Sequence, residues 1–194
     1  DCLLSRGLGD VYKRQGSLSI SSDPYRETGT EYWNAPNDAT NAYKFNGRGS
    51  GMRNRVSGTF LNIKAYGRFW SYVDPEIGDS AYFLIGADNY STAYYPVGAT
   101  QFRTYGFSVR AVRDATESEL LLSDGTACAN YVGNDGKQYR TVKIGQFVLM
   151  ADNLAETKYR NGDIIPEETN DVVWEVLETG ALCAYNNDWT NVLL

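Results

Sequence analysis

Asp74, Glu76 and Asp79 crowd the run "DPEIGD", and a pair of carboxylates is what glycoside hydrolysis uses, the separation of the two acids setting the stereochemical outcome. Closeness in sequence does not establish that separation in space, and no activated nucleophile stands beside them. The chain has no histidine. That removes the commonest general base, the imidazole-dependent serine triads and most zinc ligand sets. Cys2, Cys128 and Cys183 lack CxxC spacing, so neither a zinc ribbon nor a thioredoxin-like motif is supported. A disulfide between Cys128 and Cys183 stays open. "DPEIGD" and "NNDWTN" (186–191) carry hard oxygen ligands of the kind calcium takes. Neither has the spacing of a defined calcium loop, and solvated turns are the preferred reading, so no cofactor is expected.

The fuller signal is aromatic. Fifteen tyrosines and 19 glycines, with many asparagines and serines, describe a loop-rich recognition surface more than an enzyme interior. Binding residues concentrate on loops held by a rigid scaffold, and large amphipathic side chains make efficient anchors. That directs attention to the strip from Trp70 to Tyr105. Its candidate ligand contacts are Tyr72, Asp79, Tyr82, Asp88, Asn89, Tyr90, Tyr94, Tyr95, Arg103 and Tyr105. Many of these residue types are reached by changing the adenines of an AAC codon, as in diversity-generating cassettes. Trp33, Phe69, Trp70 and Phe107 read instead as core, being aromatics flanked by apolar alternation. Arg110 and Arg113 read as partners for buried acids or loop carbonyls.

A length of 194 residues with 42% hydrophobic content suits one large or two small domains with a real core. A formal charge of −6 leaves no broad electrostatic footprint for nucleic acid. No apolar run approaches the roughly 18 residues of a membrane span.

The elements that must position the aromatic strip are mostly strands. "TFLNIK", "GRFWSY", "SAYFLIG", "STAYYPVG" and "YGFSVRAV" follow one another as in a meandering β architecture. Before them, "GTEYWNAPNDATNAYKFNGRGSGMRNRVSG" is dense in turn formers and reads as loop, pinned by Tyr32, Trp33, Tyr43 and Phe45. In "RTYGFSVRAVRDA" (103–115), Tyr105, Phe107, Val109 and Ala111 alternate with Ser108 and Arg110 as in a half-buried strand. Beyond Thr116, "LLLSDG", "GKQYRTVKIG" and "QFVLMADNL" read as a hairpin series with Asp135-Gly136 and Gly145 at turns. "NDVVWEVLETG" is the one helix expected, capped by Asn170 or Thr169, with Val173, Trp174 and Leu177 on one face, Trp174 in a core, and Gly180 just beyond the end. "ALCAYNNDWTNVLL" reads as a last strand-like piece.

Two stretches carry a resemblance. "GTEYWNAPNDATNAYKFNGRGSGMRN…GTFLNI…GRFWSYV…AYFL…YGFSVRAVRD" resembles the second half of the Fibrobacter succinogenes major paralogous domain, a repeated module of bacterial surface and phage-associated proteins. "DGKQYRTVKIGQFVLMADNLAETKYRNGDIIPEETNDVVWEVLETGALCAYNND" resembles the first half, so the halves stand in inverted order. The resemblance implies a C-type lectin-like fold, α+β and β-dominated, with small twisted antiparallel sheets, long loops and one short helix. It divides the chain into 16–114, the second half of a module, and 115–194, the first half of a further copy or an appendage. It further implies a non-enzymatic recognition or adhesion role at a bacterial surface or on a virion, with a glycan or an exposed cell-surface protein as the ligand. A structural spacer repeat is the alternative, and a carboxylate-dependent glycan-acting enzyme the less favoured one. Where relatives often carry Cys in "VRCVRD", Ala111 stands here. Residues 1–15, "DCLLSRGLGDVYKRQ", resemble translated sequencing adapter and are expected to lie outside the fold.

Overall fold

The stretch from Ser21 to Gly49 forms no strand in the computed structural model, which describes residues 21–74, 79–86, 93–97 and 104–192. It is nonetheless tightly tied down. Gly47 donates its N–H to Tyr25 and accepts from Glu27, and the Trp33 indole N–H reaches the Gly47 carbonyl at 3.0 Å. Asn41 and Asn46 hold positive φ angles, which asparagine tolerates better than most residues, and bond each other side chain to side chain at 2.7 Å. Trp33 and Phe45 are fully buried, with Tyr32 and Tyr43 packed on the same cluster, as the sequence pattern required.

Two small sheets follow. The first joins β1 (Ser50–Arg53), β2 (Phe60–Ile63), β3 (Tyr66–Asp74), β4 (Asp79–Gly86) and β5 (Ala93–Val97) in the order β2-β1-β3-β4-β5. Only the β1–β3 pairing is parallel. The second joins β6 (Val112–Asp114), β7 (Ala127–Val132), β8 (Gln138–Ile144) and β9 (Phe147–Met150) in the antiparallel order β6-β9-β8-β7. The fold is thus β-dominated, a small α+β arrangement with few short helices.

The segment 103–115 is the seam between the sheets rather than one long strand. Gly106 and Ser108 pair with Arg53 of β1 and Phe69 of β3. Val109 and Ala111 then accept from Leu154 and Met150, and Val112 enters β6. A shared hydrophobic cluster results. Tyr25, Trp33, Phe45 and Phe69 pack with Val142, Ile144, Leu149 and Ala151, so both parts of the chain fill the same interior. Burying Phe45 or Phe69 contributes roughly 1.5–3 kcal/mol each.

Three expectations need correction. A second helix, α1 (Glu117–Leu120), precedes the one expected. It is closed by a capping box in which Thr116 and Glu119 satisfy each other's backbone N–H groups. "LLLSDG" is therefore the helix end and an exposed turn, Leu121 being 88% exposed, not a hairpin strand. The tail "ALCAYNNDWTNVLL" forms two 3-10 turns, Tyr185–Asn187 and Trp189–Asn191, after a single bridge from Leu182 to Glu167. The reason is local: Asn186 and Asn187 both adopt positive φ, and Asp188 accepts from the Thr190 N–H and hydroxyl, which breaks an extended run.

The expected helix is α2 (Asp171–Val176), capped by Asn170, whose side chain accepts from the Val172 and Val173 N–H groups. It buries Trp174 but ends at Val176, short of the expected end beside Gly180, because Leu177 already turns to an extended conformation. Among the described residues no helix is long and apolar enough to cross a membrane.

Candidate functional site

The antiparallel register of β3, β4 and β5 sorts the aromatic strip into two rows. Residues directly opposite one another share a face, and neighbours in sequence take opposite faces. Trp70 pairs with Tyr82, and Tyr82 with Tyr95. Phe69 pairs with Phe83, and Phe83 with Tyr94. Phe69 is buried in the core at 2% exposure, so Tyr94 holds a core-side position while Tyr82 and Tyr95 hold positions on the other face. Tyr72 sits near the end of β3 and Asp79 begins β4. Tyr105 is half-buried and stacks on Phe107 with ring centres 5.6 Å apart, 17° from parallel. Asp88, Asn89, Tyr90 and Arg103 lie outside the described residues.

The register also brings Asp74 opposite Asp79 across the β3–β4 pair, while Glu76 lies outside the described residues.

The aromatics read as core divide in the same way. Trp33 and Phe69 are buried, whereas Trp70 and Phe107 are half-buried and pack against each other with ring centres 4.7 Å apart and planes tilted by 48°. Alternation told that Phe69 and Trp70 face apart. It could not tell which of them the rest of the chain would cover.

Buried arginines hold this scaffold. Arg110 lies over the rings of Phe45 and Phe69, 4.2 and 5.0 Å from their centres. It donates to the carbonyls of Phe45 and Asn46 and to Asn153 Oδ1. Burial pulls its pKa down and the Asp152 charge pulls it back up. Loop carbonyls are thus its partners, as expected. Arg113, by contrast, is an exposed fork on Glu119. Arg53, which no sequence signal singled out, is 1% exposed and donates to Gly58 O, Glu168 O and Asp171 Oδ1.

The chain matches no family model, no curated protein and no solved structure. Cys128 and Cys183 are both free thiols, each with its pKa raised first by burial, so the open disulfide is not formed. Among the described residues no group of three or more acids, cysteines or histidines is placed to hold a metal ion. In "NNDWTN" the side chains serve the backbone: Asp188 caps Thr190, Asn187 reaches Thr169 O and Asn191 reaches Tyr185 O. What the described residues give is an aligned set of aromatic positions across β3, β4 and β5.

Proposed function

We propose that the chain is a non-enzymatic recognition module of C-type lectin-like type, related to the Fibrobacter succinogenes major paralogous domain. It is displayed on a bacterial cell or a virion, where it binds a glycan or an exposed protein. The observation that carries this reading is the register that sets Tyr82 opposite both Trp70 and Tyr95. It gathers candidate contacts from β3, β4 and β5 on one sheet, with the remaining candidates in the segments that join or follow those strands. Aromatic side chains gathered on a rigid support are the usual anchors of recognition surfaces. The long pinned loop from Ser21 to Gly49 beside small sheets supports the lectin-like assignment.

The test is binding of the purified chain to a glycan array and to whole bacterial cells, beside a Tyr82→Ala/Tyr95→Ala variant whose folding is checked by circular dichroism. Loss of signal in the folded variant supports the reading. A well-folded wild type that binds neither array nor cells moves the assignment to the spacer repeat.

One observation favours a second reading. The backbone register sets Asp74 opposite Asp79, and a pair of acids is what a glycan-acting enzyme requires. Release of reducing sugar from bound polysaccharide, abolished in Asp79→Asn, would establish it.

A further inference from the structure

The short helix α2 is apolar on both sides. Trp174 is buried against Arg53, and at about 100° per residue Val172 and Val176 point the opposite way, each 72% exposed, with Val173 exposed on the flank. A helix apolar all round is ordinarily buried, and β-branched valines are poor choices for a helix face left in water. Among the described residues nothing covers Val172 and Val176. The charge around them has one sign. Glu175 and Glu178 are exposed beside the valines, and the stretch 161–194 holds seven acids and neither lysine nor arginine. Its side chains carry −7 in a chain whose total is −6.

The opposite bias lies in 39–73, which holds six lysines and arginines and no acid, and which supplies β1 and the edge strand β2. The β1–β2 register decides where that stretch presents its apolar residues. Phe60 lies opposite Arg53 and so faces the Trp174 cluster, whereas Leu61 and Ile63, opposite Met52 and Ser50, fall on the reverse face and are exposed. Lys64 is exposed just past the strand, its backbone against Gly49. Arg48, next to Gly49, lies over the Tyr32 ring and pairs with Glu27. The β1–β2 hairpin thus has an acidic, valine-faced helix on one side and presents a basic, aliphatic strand on the other.

We infer that the outer face of α2 docks on β2 of a second copy of this chain, independently of the recognition reading above. Val172 and Val176 of one copy then meet Leu61 and Ile63 of the next, with Glu175 and Glu178 at the rim toward Lys64 and Arg48. Complementary potentials of this kind fix register and orientation more than they add affinity. The complement of the acidic face is carried by the chain itself, so no further component is required. Because the two surfaces differ and face apart, the contact is heterologous and adds copies head to tail.

Sedimentation of the full chain at about 0.1 M salt tests this, since the net −6 of each copy is then screened beyond about 10 Å while charges in contact are not. Faces of a few residues fall short of the roughly 800 Å² per side of a stable complex, so association is expected at about 0.1 mM and above. There the weight-average mass should rise above the 21.6 kDa of one copy. Val176→Lys, which spoils the helix face, and Leu61→Asp, which spoils the strand face, should each be monomeric. Mixed, they should form a complex that stops at two copies, because each variant keeps the surface the other lacks. Circular dichroism checks that both fold, and should either fail, Val172→Lys and Ile63→Asp take their places. A wild type that stays monomeric throughout overturns the inference. So does association retained in the folded variants, or association that mixing does not restore. A monomeric chain that instead binds a synthetic lysine-leucine amphipathic peptide, and loses it in Val176→Lys, overturns the second copy and assigns the face to a foreign basic segment.

Discussion

The guanidinium carbon of Arg53, in β1, lies 4.3 Å from the ring centre of Trp174, in α2, and 4.9 Å from that of Phe60. One side chain therefore clamps the first sheet to the C-terminal helix, with Gly58, Glu168 and Asp171 accepting its N–H groups. Removing a buried charged donor leaves those acceptors without it and strips a stacked ring of its partner. Arg53→Ala is expected to cost about 3 kcal/mol, read as a lowered midpoint in urea unfolding. The shared core extends the argument. Residues 16–114 and 115–194 expressed separately should each lack a cooperative transition, and mixing them should restore one.

Gly58 holds a φ of +64°, and a Cβ there would stand 2.5 Å from the Asp171 backbone. Gly136 holds +85° with open space around it. Both Gly→Ala changes incur left-handed strain of roughly 1–2 kcal/mol. Only Gly58→Ala adds a collision with backbone that cannot swing aside. Thermal unfolding should rank Gly58→Ala well below Gly136→Ala, and equal melting temperatures would contradict the close approach of α2 to this turn.

Burial pushes the Tyr25 hydroxyl up to about 12, helped by Tyr43 and the Asp124 charge. Its ordinary value is 10.0, so the unfolded chain releases the proton first as pH rises. The stability this group confers is whole below pH 10 and is lost as pH climbs toward 12. Tyr139, raised first by burial and then by its hydrogen bond to Glu156, acts in the same direction. Urea midpoints should therefore fall on going from pH 9 to pH 11, less steeply in Tyr25→Phe. An identical slope in the variant would show that Tyr25 ionises alike in both states.

Tyr94 and Tyr95 are neighbours on β5 with opposite register partners, Phe83 and Tyr82. Tyr94 falls in the row of buried Phe69, so Tyr94→Ala should lower the melting temperature as a core truncation does, by the equivalent of about 3 kcal/mol. Tyr95→Ala should change stability by under about 1 kcal/mol while affecting binding. The reverse order would mean that β5 pairs with β4 one residue out of register.

Local chemistry was legible in the residues themselves. Alternation announced β3, β4 and β5, the turn formers between Ser21 and Gly49 announced a loop, and Asn170 announced the start of α2. The short α1 escaped because three successive leucines imitate a strand, while its capping box is a local hydrogen-bond exchange that apolar periodicity does not register. What only the tertiary structure decided was which face of each element is covered. Period-two alternation says that Phe69 and Trp70 point apart; the packing of Phe45 against Phe69, with ring centres 5.6 Å apart, made Phe69 core and left Trp70 to Phe107. Arg53 and Arg110 became buried staples for the same reason. A charge enters an interior only where carbonyls and rings from distant segments converge to replace its water, and that convergence exists in no local stretch of sequence.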